Sequence, residues 1–278
     1  MKKKVTIVGV GWLGIPLSER LRERGFEVKG SVASEEELLV FELTDQITLV
    51  KVEEDHIKGD WDNLIAETDV LIVCFPPADR RDKHGVYVKQ IEQLTKQMPP
   101  HQKVIFVSST SVYPNTNQSI KESDQFTPET IGGKNIYQAE QVLRQHFGEQ
   151  LTAIRMAGLI GGGRHPSQLL RENRVLKNPN VPVNVIHQTD AINLILAVIE
   201  QDVFGEVING CADLHPIRRD LYTNAAVTLG LPLPVFRDSK SFAFKLIDNT
   251  KSKRLLSFEY KYDDPQAYFN EEVKIEEQ

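Results

Sequence analysis

The most constraining stretch of the chain is Lys4-Val5-Thr6-Ile7-Val8-Gly9-Val10-Gly11-Trp12-Leu13-Gly14. Val5, Ile7, Val8 and Val10 form a short apolar run of strand-forming residues. Gly9, Gly11 and Gly14 then make a G-x-G-x-x-G turn, and Leu13, Leu17 and Leu21 follow at helical spacing. A strand, a glycine turn and an amphipathic helix in this order open a dinucleotide-binding βαβ unit. The first glycine permits the tight turn, the second lets backbone approach a pyrophosphate, and the third lets helix and strand pack closely. The phosphates would rest on the N–H groups of the helix N-terminus. Gly9, Gly11, Trp12, Leu13 and Gly14 are therefore expected cofactor contacts.

Downstream, apolar strands alternate with helical patterns. The pattern predicts strands over 26–32, 47–52, 70–75, 104–107 and 151–156, and helices over 12–24, 35–43, 85–98 and 134–147. Alternation of this kind builds a parallel, doubly wound sheet. After Met156 the character changes. Gly158 to Pro166 reads as a mobile loop, followed by short strands at 183–186 and 207–209 and helices at 190–201 and 218–229, with a charged tail after Ile247. The expected architecture is a Rossmann-type α/β domain over 1–156 and a smaller C-terminal α/β substrate lobe over 157–278.

The second strand tells which dinucleotide fits. An acidic residue at its end would hydrogen-bond the adenosine ribose, but the counted position falls on apolar Val32. Lys29, Ser31 and Ser34 beside it can donate to a 2′-phosphate, which favours NADP, with NAD as the alternative. Ser31 and Ser34 are equally readable as turn residues. Ends of the other sheet strands add Phe75, Pro76, Pro77, Ser108, Ala157 and Leu159 as expected cofactor contacts.

Composition narrows the function class. A formal net charge of -6 offers no basic footprint for nucleic acid. No apolar run approaches the roughly 20 residues that span a membrane. Two cysteines, Cys74 and Cys211, do not form a disulfide framework and suit a reducing cytoplasm. The seven histidines lack metal-ligand spacing, so no structural metal is expected.

The segment Ser108-Ser109-Thr110-Ser111-Val112-Tyr113-Pro114 leaves a buried strand at the sheet edge where open α/β sheets bind ligands. It resembles the Ser-Ser-x-x-Val-Tyr-Gly motif of the extended short-chain dehydrogenase/reductases, in their NAD(P)-dependent epimerase/dehydratase branch. Arg155 to Gly161 and His187-Gln188-Thr189-Asp190-Ala191 resemble two further runs of that branch. The resemblance implies a nucleotide-sugar-like or other small polar substrate, possession of a nicotinamide cofactor, and a homodimer formed through the helices that begin near Gly85 and Lys134. It also implies a catalytic role for Ser109, which matches the substrate-orienting hydroxyl. Tyr113 is a further candidate proton donor, although in the branch this residue mostly packs near the sheet edge. One departure stands out. The branch's Tyr-x-x-x-Lys dyad, aligned through Glu140, falls on Gly132 and Ile136, and Lys134 and Tyr137 lie two and one residues from the lysine position. On a helix those offsets aim side chains at other surfaces.

Two function classes follow. The first is an NAD(P)-binding oxidoreductase resembling sugar-nucleotide epimerases and dehydratases, with a non-standard active site. The second is a non-catalytic NADP-binding sensor or regulatory protein. Arg164, His165 and the backbone amides of the Gly161–Pro166 loop offer a place for an anionic group such as a phosphate, and read equally as a lid carrying exposed cations. A β-hydroxyacid-dehydrogenase-like enzyme would need an all-helical second domain, against which the strands at 183–186 and 207–209 argue.

Overall fold

The structure is a computed structural model describing residues 2–40, 46–79, 81–166, 175–238 and 243–269. Its centre is a seven-stranded sheet. In chain order its strands are β1 (Lys4–Val8), β2 (Glu27–Val32), β3 (Ile47–Leu49), β4 (Val70–Val73), β5 (Lys103–Ser109), β6 (Leu151–Met156) and β7 (Val207–Gly210). They lie side by side as β7-β6-β5-β4-β1-β2-β3. The pairs from β3 to β5 are parallel, with Val5 opposite Val28 on one side and Val70 on the other. Strand order therefore reverses between β1 and β4, the switch point beside which open α/β sheets hold ligands. Val70, Leu71, Ile72 and Val73 are all fully buried, as expected of a strand covered on both faces.

Helices α1 (Gly14–Glu23), α2 (Glu35–Val40), α3 (Trp61–Ile65), α4 (Val86–Lys96), α5 (Ile131–Phe147), α6 (Gln188–Glu200), α7 (Arg218–Thr228) and α8 (Thr250–Leu256) complete the main elements. Among them no helix is long and apolar enough to cross a membrane. Leu17 and Leu21 of α1 are fully buried, so the apolar stripe read from the sequence is the face that covers the sheet.

The chain divides into two compact units. One comprises 1–113, 127–155 and 195–208, and the other 114–126, 156–194 and 209–278. In the first, Tyr87, Ile91 and Leu94 of α4 and Ala139, Leu143 and Phe147 of α5 share one core cluster with Val104 and Phe106 of β5. In the second, Ile160, Val185, Leu221 and Ala225 pack with Tyr262, Tyr268 and Phe269.

Several local expectations change. The strand read over 47–52 breaks at Val50, and Lys51–Val52 instead pairs antiparallel with Ile57–Lys58. Helix α5 begins at Ile131 rather than Lys134, because the Thr130 hydroxyl caps it by accepting from the Gly133 N–H at 3.0 Å. The start of the loop read over 158–166 is a strand: Gly158–Ile160 pairs in parallel with Val185–His187. Within the long connection before α5, Ser119–Ile120 pairs with Leu246–Ile247. The end of the helix read over 35–43 and the tail from 270 onward lie outside the described residues, while Thr250–Leu256 of the tail forms α8.

Candidate functional site

The glycine turn between β1 and α1 performs three separate geometric tasks. Gly9 has φ +96°, and a Cβ there would stand 2.8 Å from the backbone nitrogen of Phe75, so the turn hugs the end of β4. A Cβ on Gly14 would come within 2.9 Å of the Gly9 carbonyl oxygen, which fixes how closely α1 sits on the turn. Gly11 differs from both. A Cβ there would meet nothing within 4 Å, so the turn presents an open face at this residue.

Helix α1 is also prepared for an anion. Leu13 at its N-cap supplies no side-chain hydrogen bond, and its first turn carries no acidic residue. Pro16 lacks an N–H where none is needed within the helix. Backbone bonds hold the turn, with Gly11 N–H donating to the Gly9 carbonyl at 3.1 Å and Ile15 N–H to the Gly11 carbonyl at 2.9 Å. The positive end of the α1 dipole is left without a negative side chain of its own.

On the flank toward β2, Val10 N–H donates to the Ser31 carbonyl at 2.7 Å, and Gly9 N–H to the Ser31 hydroxyl oxygen at 3.3 Å. Ser31 and Val32 are buried, with exposures of 1% and 2%. The Ser34 hydroxyl accepts from Glu37 N–H at 3.2 Å. In return, one carboxylate oxygen of Glu37 accepts from Ala33 N–H at 2.9 Å and Ser34 N–H at 3.2 Å. This is a capping box, written in the sequence as Ser34-x-x-Glu37. Lys29 is drawn elsewhere, donating to the Asn63 carbonyl at 2.7 Å.

On the flank toward β4, past Cys74, Phe75 lies two residues beyond the strand. Its carbonyl accepts from the Tyr87 hydroxyl at 3.1 Å, and the two rings meet edge-on at 5.7 Å. Burial drives the Tyr87 phenol far above its ordinary range, so it serves here as a neutral donor. Pro76 is exposed and Pro77 half-buried. Burial works against the Asp82 charge, but N–H groups of His84, Tyr87, Val86 and Gly85 outweigh it and hold that carboxyl below its usual value. The Asp82 carbonyl is tied in turn to the Asn135 amide of α5 at 2.8 Å.

At the end of β5 the two adjacent serines part company. Ser108 is buried and its hydroxyl donates to Glu140. Glu140 also receives Arg155 through Nε at 3.0 Å and Nη2 at 2.6 Å. Arg155 Nη1 donates to the Tyr113 hydroxyl at 2.8 Å, with the guanidinium 4.9 Å from that ring's centroid. Burial opposes the Arg155 charge, yet Glu140 and Tyr113 outweigh it and the guanidinium stays protonated. Tyr113 is only 2% exposed, so this tyrosine is built into the interior of its unit. Ser109 is half-buried, and its oxygen accepts from Ser111 N–H at 3.1 Å, which leaves it its own proton to donate.

Gly132 lies in the first turn of α5, and Ile136 packs against the apolar core of the first unit. Gly133 is needed because a Cβ there would collide with the Ser111 carbonyl. Lys134 is exposed on the same helix and Tyr137 is half-buried.

In the second unit, Ala157 is buried and donates its N–H to the Gly210 carbonyl at 2.8 Å, and Leu159 lies in register with Ile186. Gly161, Gly162 and Gly163 have φ of +81°, +53° and +79°. Side chains on Gly161 and Gly162 would strike the His187 ring and the Gln188 amide. His187 Nδ1 accepts from Thr189 N–H at 3.1 Å, and its ring lies 4.0 Å from that of Tyr262. Asp190 receives the N–H groups of Lys261 at 2.8 Å and Tyr262 at 2.9 Å, and burial pushes its carboxyl up. His165 packs against the Phe269 ring at 5.0 Å. Cys74 and Cys211 are free thiols.

Comparison with known proteins places this geometry. Protein YeeZ of Escherichia coli (strain K12) is 32% identical over 268 residues, which cover 95% of this chain and 97% of the relative. The chain belongs to the YeeZ family. No protein-family model matches it. Among solved structures, a functionally unknown conserved protein from Silicibacter pomeroyi DSS superposes with a TM-score of 0.80 at 21% identity, covering 100% of both chains. UDP-glucuronic acid 4-epimerase from Bacillus cereus, in complex with UDP-glucuronic acid and NAD, gives a TM-score of 0.78 at 16% identity. That match covers 98% of this chain and 99% of the epimerase. The YeeZ-family chain thus has the Rossmann-type fold of the epimerase/dehydratase branch of the short-chain dehydrogenase/reductases.

Proposed function

We propose that the chain binds a nicotinamide dinucleotide over the Gly9–Gly14 turn and acts as an oxidoreductase or epimerase on a small polar substrate of the nucleotide-sugar kind. The observation that carries this reading is the open face at Gly11 beside the uncapped N-terminus of α1, between two glycines held tight against Phe75 and against each other. The structural neighbour with UDP-glucuronic acid and NAD supports both the cofactor and the substrate class. The cofactor would accept or donate hydride. In this reading Trp12 and Leu13 border the pyrophosphate, Phe75, Pro76 and Pro77 border the nicotinamide half, and Ser109 holds a substrate oxygen with its hydroxyl proton. Ser108 acts one step back, as the hydroxyl that completes the Glu140–Arg155–Tyr113 network behind Ser109. With Gly132 and Ile136 at the dyad positions, proton transfer falls to water or to a group outside the usual pair.

The test is turnover by the purified chain, read first as oxidation of NADH or NADPH with small carbonyl compounds. An epimerase returns its hydride within one turnover and consumes no reduced cofactor, so conversion of nucleotide sugars is followed by chromatography in the presence of NAD or NADP. Turnover lost in Ser109→Ala, with dinucleotide affinity unchanged, supports the reading. Turnover left intact removes Ser109 from it. A second reading, a dinucleotide-binding sensor without catalysis, is favoured specifically by Gly132 and by the packing of half-buried Ile136 against the core. Dinucleotide binding with no turnover on any compound would select it.

A further inference from the structure

The end of β2 carries information about the dinucleotide that the strand sequence alone does not. In folds of this type the adenosine ribose comes to rest there, and one negative or positive side chain decides whether its 2′ position carries a hydroxyl or a phosphate. Val32, at the counted position, is buried and offers nothing polar. The Ser31 hydroxyl is buried on Gly9 N–H, and Lys29 is engaged by the Asn63 carbonyl. The two N–H groups that follow the strand, Ala33 and Ser34, both point to the Glu37 carboxylate, and the Ser34 hydroxyl accepts from Glu37 N–H while keeping its own proton.

Resting on the dinucleotide reading above, we infer that Glu37, reaching back from α2, supplies the acidic group that β2 lacks, and that the site takes NAD in preference to NADP. A carboxylate has lone pairs to spare after accepting two N–H groups, and a ribose hydroxyl can donate to it. A 2′-phosphate carries only acceptors and close to two negative charges. It would face the Glu37 carboxylate with Glu35 and Glu36 in the same helical turn, and it would find the Ala33 and Ser34 donors already taken. The Ser31 contacts with Gly9 and Val10 connect this strand end directly to the glycine turn. Specificity is thus set by a cap residue five positions beyond the strand residue where the acid is ordinarily sought.

Calorimetric titration of the full chain with NAD and NADP separately tests the inference. The wild type is expected to bind NAD at least about tenfold more tightly, the scale of one charge-assisted hydrogen bond gained or one like-charge contact incurred. Glu37→Gln keeps the cap, since glutamine serves a capping box as well, but removes the charge, and should shrink that preference several-fold. Ser34→Ala removes a capping hydroxyl while leaving the carboxylate, and should retain the preference for NAD. Tighter NADP binding by the wild type, or an unchanged preference in Glu37→Gln, overturns the inference while leaving the dinucleotide reading intact. Equal loss of preference in Ser34→Ala also overturns it, by assigning the effect to loop shape. Binding of neither dinucleotide overturns both.

Discussion

Alanine at Gly9 and at Gly11 should have opposite consequences, although the two glycines are two residues apart in one turn. At Gly9 the methyl must be carried at φ +96° and pushed to 2.8 Å from the backbone nitrogen of Phe75, which cannot swing away as a flexible side chain could. The conformational cost is about 1–2 kcal/mol. Crowding against fixed backbone adds roughly 1–3 kcal/mol. Gly9→Ala should therefore lose about 2–5 kcal/mol of unfolding free energy, read as a shift in urea midpoint by far-ultraviolet circular dichroism. At Gly11 the same methyl meets nothing within 4 Å, and this glycine is not among those with positive φ. Gly11→Ala should leave stability within about 0.5 kcal/mol, or raise it slightly by restricting the unfolded chain. Its effect should appear in calorimetry with NADH, where the methyl stands in the path of the pyrophosphate and weakens binding by at least about tenfold, or 1.4 kcal/mol. A Gly11→Ala protein that is stable and binds like the wild type would refute the assignment of that open face. A Gly9→Ala protein as stable as the wild type would refute the description of the turn itself.

Two further outcomes follow from buried charge. Arg155→Met leaves Glu140 without its cation and should cost about 3–5 kcal/mol, and the double variant Arg155→Met/Glu140→Gln should lose less than the sum of the single losses; additive urea-denaturation losses would show the pair to be uncoupled. Glu122 accepts Asn209 N–H, and burial raises its carboxyl above its ordinary 4.5. A raised folded value gives stability that is complete below 4.5 and is lost as pH climbs through the folded value. Glu122→Gln should therefore gain melting temperature relative to the wild type between pH 4 and pH 7, and the opposite trend would reverse the assigned cause.

The parts of the fold that were readable in the sequence are those fixed by local pattern. Val5 to Val10, the three glycines and the Leu13-Leu17-Leu21 stripe specify strand, turn and helix over a short span, and they form β1 and α1. The misplaced start of α5 has a tertiary cause. Gly132 and Gly133 lower helix propensity, but the close approach of Gly133 to the Ser111 carbonyl requires a residue without a Cβ, and Thr130 caps the turn. The hairpin of Lys51–Val52 with Ile57–Lys58 was hidden for a different reason, since its strands are too short to show a period.

At the site, residue identity was legible but role was not. Ser108 and Ser109 look alike in sequence. Only the long-range arrival of Glu140 and Arg155 commits the first to the interior and leaves the second half-exposed. Tyr113 reads as a proton donor, and only the structure shows that it is 2% exposed with its hydroxyl oxygen accepting from Arg155. Ser31 and Ser34 read as donors to a 2′-phosphate, and the structure adds that both oxygens accept backbone N–H groups, a role each fills while keeping its own proton. The Ser34-x-x-Glu37 spacing was visible throughout, but a search confined to β2 passes over it.

The most direct test of the central claim is hydrogen exchange along the chain with and without saturating NADH. The account predicts slowed exchange in the peptide spanning Val8 to Leu17, centred on the open face at Gly11 and the first turn of α1. Unchanged exchange across that peptide, with or without protection elsewhere, would contradict it.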